Sequence, residues 1–226
     1  MGATQSSRPG KDEDDDETED KQPTPRQEQR RRYRVRFVTL WGSDGAPALG
    51  VPEDEGPHTG NMFAVVHDGS ARLFRVGALA SAGIKQSAEL GMVGRLVGDA
   101  QRAMSSGTVW GYHEGPVLAA PGERVFVVTA PVGSPAFLGL TTMVAPSSNW
   151  FTGVDGIDLD RVGTDRETVW RLPAMSAGTD SGTQFQTFPK HPLSRPVPIS
   201  VLGGGEVLFP TRWVVPVAYL AVQRLP

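Results

Sequence analysis

Two stretches of the chain concentrate side-chain oxygens in a way that suits a hard cation. "APSSNWFTGVDGIDL" runs from Ala145 to Leu159 and "PAMSAGTDSGTQF" from Pro173 to Phe185. The first sets Ser147, Ser148 and Asn149 in a row ahead of the large anchor Trp150. The second offers Ser176, Thr179, Asp180 and Ser181. Calcium takes six to eight oxygens from carboxylates, amides, backbone carbonyls and water, and loops of this composition supply them. The same composition suits plain turn chemistry, in which Asn, Asp and Ser bond nearby backbone and glycine turns left-handed. Composition alone favours the turn reading. Yet a tight hairpin needs only two or so turn residues, far fewer than either stretch holds.

Other chemistries find less support. The four histidines, His58, His67, His113 and His191, are far apart, and none sits in an HxxxH or HExxH pattern. No GxSxG elbow marks a serine nucleophile. The glycine-rich "GMVGRLVG" and "LGGGEV" lack the GK[ST] ending of a phosphate loop. The chain has no cysteine, which removes disulfides, thiolate zinc sites and thiol catalysis together. The residues therefore assign no catalytic group and no organic cofactor, and the protein reads as a non-enzyme.

These loops need a scaffold, and the bulk composition describes one. The length suits one moderate domain with a real core plus a tail. Glycine (27) and proline (19) are abundant, which favours turns over long helices. A net charge of -3 is too small to point to nucleic acid. No run approaches the roughly 20 apolar residues of a membrane helix. The first thirty residues have no apolar core of a secretory signal. "MGATQS" fits the loose myristoylation pattern through Gly2 and Ser6, a pattern many proteins match by chance.

Along the chain, residues 1–31 read as a disordered charged tail and residues 32–226 as the domain. "KDEDDDETEDKQPTPRQEQRRR" has acid, prolines and then base, with nothing apolar to offset ordering entropy. Its basic end, Arg30 to Arg32 with Arg34 and Arg36, reads as a solubilising linker or as a contact for an acidic surface. "YRVRFVTLW" alternates with period two and predicts a strand within a sandwich. "NMFAVVHDGSARLFRVG" predicts two strands around the turn "DGS". In "GIKQSAELGMVGRLVGDAQRAM", Ile84, Ala88, Met92, Leu96 and Ala100 recur at helical spacing. Gly91, Gly94 and Gly98 each cost about 1 kcal/mol there, so a short helix or two broken turns is expected. "TVWGYH", "RVFVVTAP", "AFLGLTTMVAP", "TVWRLPAM", "PVPISVL" and "RWVVPVAYLAVQRL" predict strands, with Pro198 and Pro216 at edges or bulges. The sum is an all-β, antiparallel sandwich or barrel with a short helix.

Several blocks resemble, in order, the N-terminal spondin domain shared by F-spondin, mindin and many microbial secreted proteins. "YRVRFVTLW" is similar to the opening strand. "LFRVGALASAGIKQSAELG" resembles G-x-x-A-S-x-G-(V/I)-K-x-x-A-E-x-G through Gly77, Ala80, Ser81, Gly83, Ile84, Lys85, Ala88, Glu89 and Gly91. "MVAPSSNWFTGVDGIDL" resembles M-x-x-P-S-P-D-W-F-x-G-V-x-x-(L/I)-x-L through Met143, Pro146, Ser147, Trp150, Phe151, Gly153, Val154 and Leu159. "SAGTDSGTQF" resembles D-A-G-T-D-(S/D)-G-x-x-F through Ala177, Gly178, Thr179, Asp180, Ser181, Gly182 and Phe185.

The resemblance implies a C2-like antiparallel β-sandwich, a role in adhesion and matrix recognition, and calcium at loop carboxylates. It makes Asp180, Asn149, Ser176 and Glu89 the metal-site residues and has Trp150 begin a strand; from there Trp150 is expected to be buried and to pin its loop. The chain departs from the pattern at that site. Asn149 stands where the family has the aspartate of P-S-P-D-W, and Ser176 where it has the first aspartate of D-A-G-T-D. Ligand charge is a main control of calcium affinity. Calcium is therefore expected to bind weakly, or the site to survive as a hydrogen-bonded loop clasp. The implied function is a non-enzymatic binding module for a protein or surface glycan, with no nucleic acid and no membrane span. The implied location is extracellular or at the cell surface, without a signal peptide in this chain; a cytoplasmic location is the alternative. The alternative function is a structural subunit of a larger homo-oligomer. The lack of cysteine departs from animal members and suggests a microbial source.

Overall fold

The computed structural model describes residues 29–41, 56–183, 185–186, 188–203 and 216–226. Most of the expected tail, residues 1–28, lies outside them. Strand β1 (Arg30–Thr39) starts two residues before the expected domain boundary. Tyr33, Val35 and Phe37 are fully buried while Arg30, Arg32 and Arg34 face out, so the period-two pattern runs back through the arginines. The linker reading therefore fails for Arg30 to Arg32, Arg34 and Arg36, all of which belong to β1.

The other strands are β2 (His58–Thr59), β3 (Met62–His67), β4 (Val109–Gly115), β5 (Gly122–Pro131), β6 (Phe137–Ala145), β7 (Trp150–Asp158), β8 (Thr168–Ser176), β9 (Ser200–Val201) and β10 (Pro216–Arg224). They pair antiparallel in the order β4-β3-β6-β7-β8-β10-β1-β5, with β2 on β6 and β9 on β8. The sheet turns into two layers at β8. Thr168–Leu172 pair with β10, and Ala174–Ser176 pair with β7. At the corner Pro173 opposes Pro216, and the register slips before Ala218. Neither proline can donate to a ladder, so the bend falls where the fewest bonds are lost. Pro216 thus sits at a bulge, as expected.

Between the layers lie Tyr33, Val35 and Phe37 of β1, Leu138 and Leu140 of β6, and Leu220 of β10. Truncating any one of the large members costs about 2–5 kcal/mol. At the free edges β4 and β5 meet through side chains; the His113 ring stacks on Phe126 with centroids 4.2 Å apart. The antiparallel sandwich is therefore nearly a closed sheet.

Two helices, α1 (Ala82–Leu90) and α2 (Gly94–Ser105), cover the outer face of the β3–β6–β7 layer. Ile84, Ala88, Leu96 and Ala100 pack on Phe63, Val65 and Phe151. The Ser81 hydroxyl caps α1 by accepting the Ile84 N–H at 3.2 Å. Gly91 ends it in the left-handed region, at φ 65°. Gly91 and Gly94 thus flank the break between the two helices, while Gly98 is carried inside α2.

One expected strand is absent and another is cut short. "ARLFRVG" leaves the sheet after the Asp68–Ser70 turn and covers it instead, Phe74 meeting Phe151 edge-on at 5.2 Å. Of "PVPISVL" only Ser200 and Val201 join a ladder, because Pro196 and Pro198 carry no N–H. In "RWVVPVAYLAVQRL" the strand runs from Pro216; residues 212–215 lie outside the described set. Among the described residues no helix is long and apolar enough to cross a membrane.

Candidate functional site

The two oxygen-rich stretches meet because their strands are neighbours. Trp150, the first residue of β7, pairs with Ser176, the last of β8. The ladder continues into the loops: the Ala177 N–H donates to the Asn149 carbonyl at 3.0 Å. Before β7, the Ser147 hydroxyl accepts the Trp150 N–H at 3.0 Å and folds the turn that aims Asn149 inward. Trp150 is 1 % exposed and holds this turn to the core, edge-on against Phe185 at 5.0 Å. Its expected burial is met.

At the centre lies Asn149, fully buried. Its Nδ2 donates to Ser176 Oγ at 3.1 Å and to the Asp180 carbonyl at 3.1 Å. A backbone carbonyl only accepts, so it must face the amide nitrogen and not the oxygen. Ser176 Oγ also accepts the Gly178 N–H at 3.0 Å. Asp180 places Oδ1 on the Gly182 N–H and Oδ2 on the His191 N–H, both at 2.7 Å. These are charge-assisted bonds, roughly twice as strong as neutral ones.

A third segment completes the arrangement. Residues 191–197 lie along residues 178–181, with bonds from Leu193 N–H to the Thr179 carbonyl at 3.0 Å and from Val197 N–H to the Gly178 carbonyl at 2.8 Å. Sequence reasoning misses this segment because it contributes backbone groups, which every residue has. Gly178 is the one signal of its approach: a Cβ there would lie 2.0 Å from the Val197 carbonyl oxygen. Beside the clasp opens a cleft of about 270 Å³, lined by Trp150, Asp180, Gly182, Thr183, Leu193 and Leu202.

The structure therefore brings Asn149, Ser176 and Asp180 together. Glu89, at the end of α1, stands apart in its bonding. Its carboxylate lies 3.9 Å from Lys85 Nζ, while its backbone carbonyl accepts from Lys190 at 3.3 Å. That lysine ties the end of α1 to the third segment.

This set does not fit a divalent cation. It has one carboxylate, both of whose oxygens already accept N–H groups. The amide presents its nitrogen to the two oxygens that an ion would bridge. Among the described residues no three His, Cys, Asp or Glu side chains gather to hold a metal. Ser148 Oγ, Asn149 Oδ1 and Thr179 Oγ1 are buried without a partner among the described residues, but they are neutral oxygens of the kind that buried water satisfies. What the arrangement does is fix three loops in one shape through buried polar bonds.

Comparison with known protein families gives a match. The family model described as Spondin_N fits residues 31–201, from the second residue of β1 to the end of β9. No curated protein matches the chain.

Proposed function

The chain belongs to the Spondin_N family, and from that premise we propose that it is a non-catalytic binding module of the adhesion type. It works at or outside the cell surface and recognises a protein or a surface glycan with the loop end of its sandwich. One observation carries this reading: Asn149, Ser176 and Asp180 each bond the backbone of a neighbouring loop. Asn149, Ser176 and Asp180 hold loops, and a loop end held this way meets a partner with little ordering cost. Just before the laced segment stands Phe188, 73 % exposed, two residues ahead of Lys190, which bonds the end of α1. Exposed aromatics on a rigid support are the usual anchors of protein interfaces.

The test is adhesion of beads coated with the full chain to immobilised cell surfaces and to a glycan array. The expected result is binding that Phe188→Ser abolishes while the melting temperature holds. Folded protein that binds neither surface, or binds equally well as Phe188→Ser, overturns the reading. A large homo-oligomer in native mass measurement would favour the shell-subunit alternative.

A further inference from the structure

We propose that the outer face of β1 is a second binding surface, a track for an anionic polysaccharide. The polymer is one that repeats carboxylate or sulfate groups along an extended chain. The surface is separate from the loop end, so the two readings fail independently.

The observation is a fixed row of cations. Arg30, Arg32, Arg34 and Arg36 alternate with the buried Tyr33, Val35 and Phe37, so all four stand on one side of one strand. Two residues of strand advance about 6.6–6.8 Å, which sets the spacing of successive guanidinium stems. From Tyr33 onward the strand is an inner one, paired with β5 on one side and β10 on the other; Arg30 and Arg32 are held by their pairing with β5, and the Arg32 carbonyl also accepts the Leu225 N–H at 2.8 Å. Guanidinium groups suit this task because each can grip a carboxylate or sulfate with two parallel N–H bonds.

The row is not uniform. Glu167 takes Arg36 at 2.7 Å and Arg34 at 3.3 Å, and Glu123 lies 3.5 Å from Arg36. The Glu167 carboxyl is held below its ordinary range, first by its hydrogen bond from Arg36, so it stays charged and occupies these two arginines. Arg30 and Arg32 make no ion pair among the described residues; Arg30 donates to the Trp110 carbonyl at 3.3 Å. The positions beside Arg32 and Arg34 on β5 are Thr129 and Val127, which add no opposing charge. The track therefore has an open cationic end and a masked end.

The chemistry favours a polysaccharide over nucleic acid. Single strands bind through aromatic platforms for the bases. Here the cross-strand partners of the row are Pro131, Thr129, Val127 and Val125 on β5 and Gln223 and Ala221 on β10, none of them aromatic. Val125 and Val127 are 51 % and 42 % exposed, apolar patches against which a sugar ring face can lie.

The experiment titrates the full chain with dextran sulfate, alginate, neutral dextran and poly(dT) at low and moderate salt. Using the full chain makes each polymer compete with the protein's own acidic residues 12–20. Both anionic polysaccharides should bind, more weakly as salt rises, and neutral dextran should not. Arg30→Ala with Arg32→Ala should weaken binding at least about tenfold, while Arg102→Ala on α2 leaves it unchanged. Glu167→Gln should tighten binding, because it frees Arg34 and Arg36. Melting temperatures near wild type show that the variants fold. Equal binding by the double variant, no gain from Glu167→Gln, or tighter binding of poly(dT) than of either polysaccharide overturns the proposal.

Discussion

The side-chain nitrogen of Asn149 donates to the hydroxyl of Ser176 at 3.1 Å, and thereby joins the loop before β7 to the end of β8. The same nitrogen holds the Asp180 carbonyl. The positive end of an amide stands between two oxygens that a cation would otherwise bridge.

Asn149→Asp should therefore destabilise the metal-free protein. A carboxylate has no N–H, so two bonds are lost and a buried anion faces a carbonyl. Urea denaturation in EDTA should show a loss on the order of 1–3 kcal/mol or more. Adding Ser176→Asp supplies a second anionic oxygen, and this double variant should bind calcium and regain stability with it. Calorimetry on wild type should give no calcium heat. A double variant that gains none either would mean that these loops cannot be made into a cation site.

Trp150→Ala should cost about 3–5 kcal/mol, as for other fully buried large aromatics. The ring is buried beside the Ser147–Asn149 turn, whose Ser147 hydroxyl accepts the Trp150 N–H, and it meets Phe185 edge-on. Denaturant midpoints measure this directly, and an unchanged midpoint contradicts it.

Gly178→Ala separates steric crowding from backbone preference. Gly178 has φ 70° and lies against the Val197 carbonyl, whereas Gly133 has φ 83° and open space around it. Gly133→Ala should cost about 1 kcal/mol from backbone preference alone. Gly178→Ala should cost clearly more and should speed hydrogen exchange at Leu193 and Val197. Equal costs at the two sites would refute the close approach.

His113 gives a pH dependence. Burial first, then the Arg124 guanidinium, holds its imidazole below the ordinary value, with Glu114 opposing. The unfolded chain takes up this proton near pH 6.5, while the folded protein resists it. Stability from this group is whole above that pH and falls as pH drops below it. His113→Phe keeps a ring against Phe126 and removes the titration. Its stability should change less than that of wild type between about pH 7 and about pH 5. Parallel curves would show that His113 titrates normally.

The sequence made the strands legible where side chains alternate. Tyr33, Val35 and Phe37 announce β1, and the apolar run through Leu138 and Leu140 announces β6. β7 is harder to see in composition because Gly153 and Gly156 interrupt its pattern, and only the resemblance has Trp150 begin it. "ARLFRVG" alternates well enough for a strand, but its Phe74 finds its place over Phe151 and not within a ladder. At the site, Asn149, Ser176 and Asp180 are visible as oxygen carriers. His191 and Val197 are not, since each contributes only backbone groups to the clasp.

The pairing of β1 with β10 sets how the domain meets mechanical load. Tyr33 lies opposite Arg224, so the chain enters and leaves the sandwich side by side. Tension applied between those two points would peel this ladder rung by rung, as a zipper opens, in place of shearing all its bonds at once. The same end of β8 holds Thr168, opposite Val222, while the clasp sits at its other end, at Ser176. A pull along the chain would thus detach the arginine-bearing strand first and leave the laced loops intact until last.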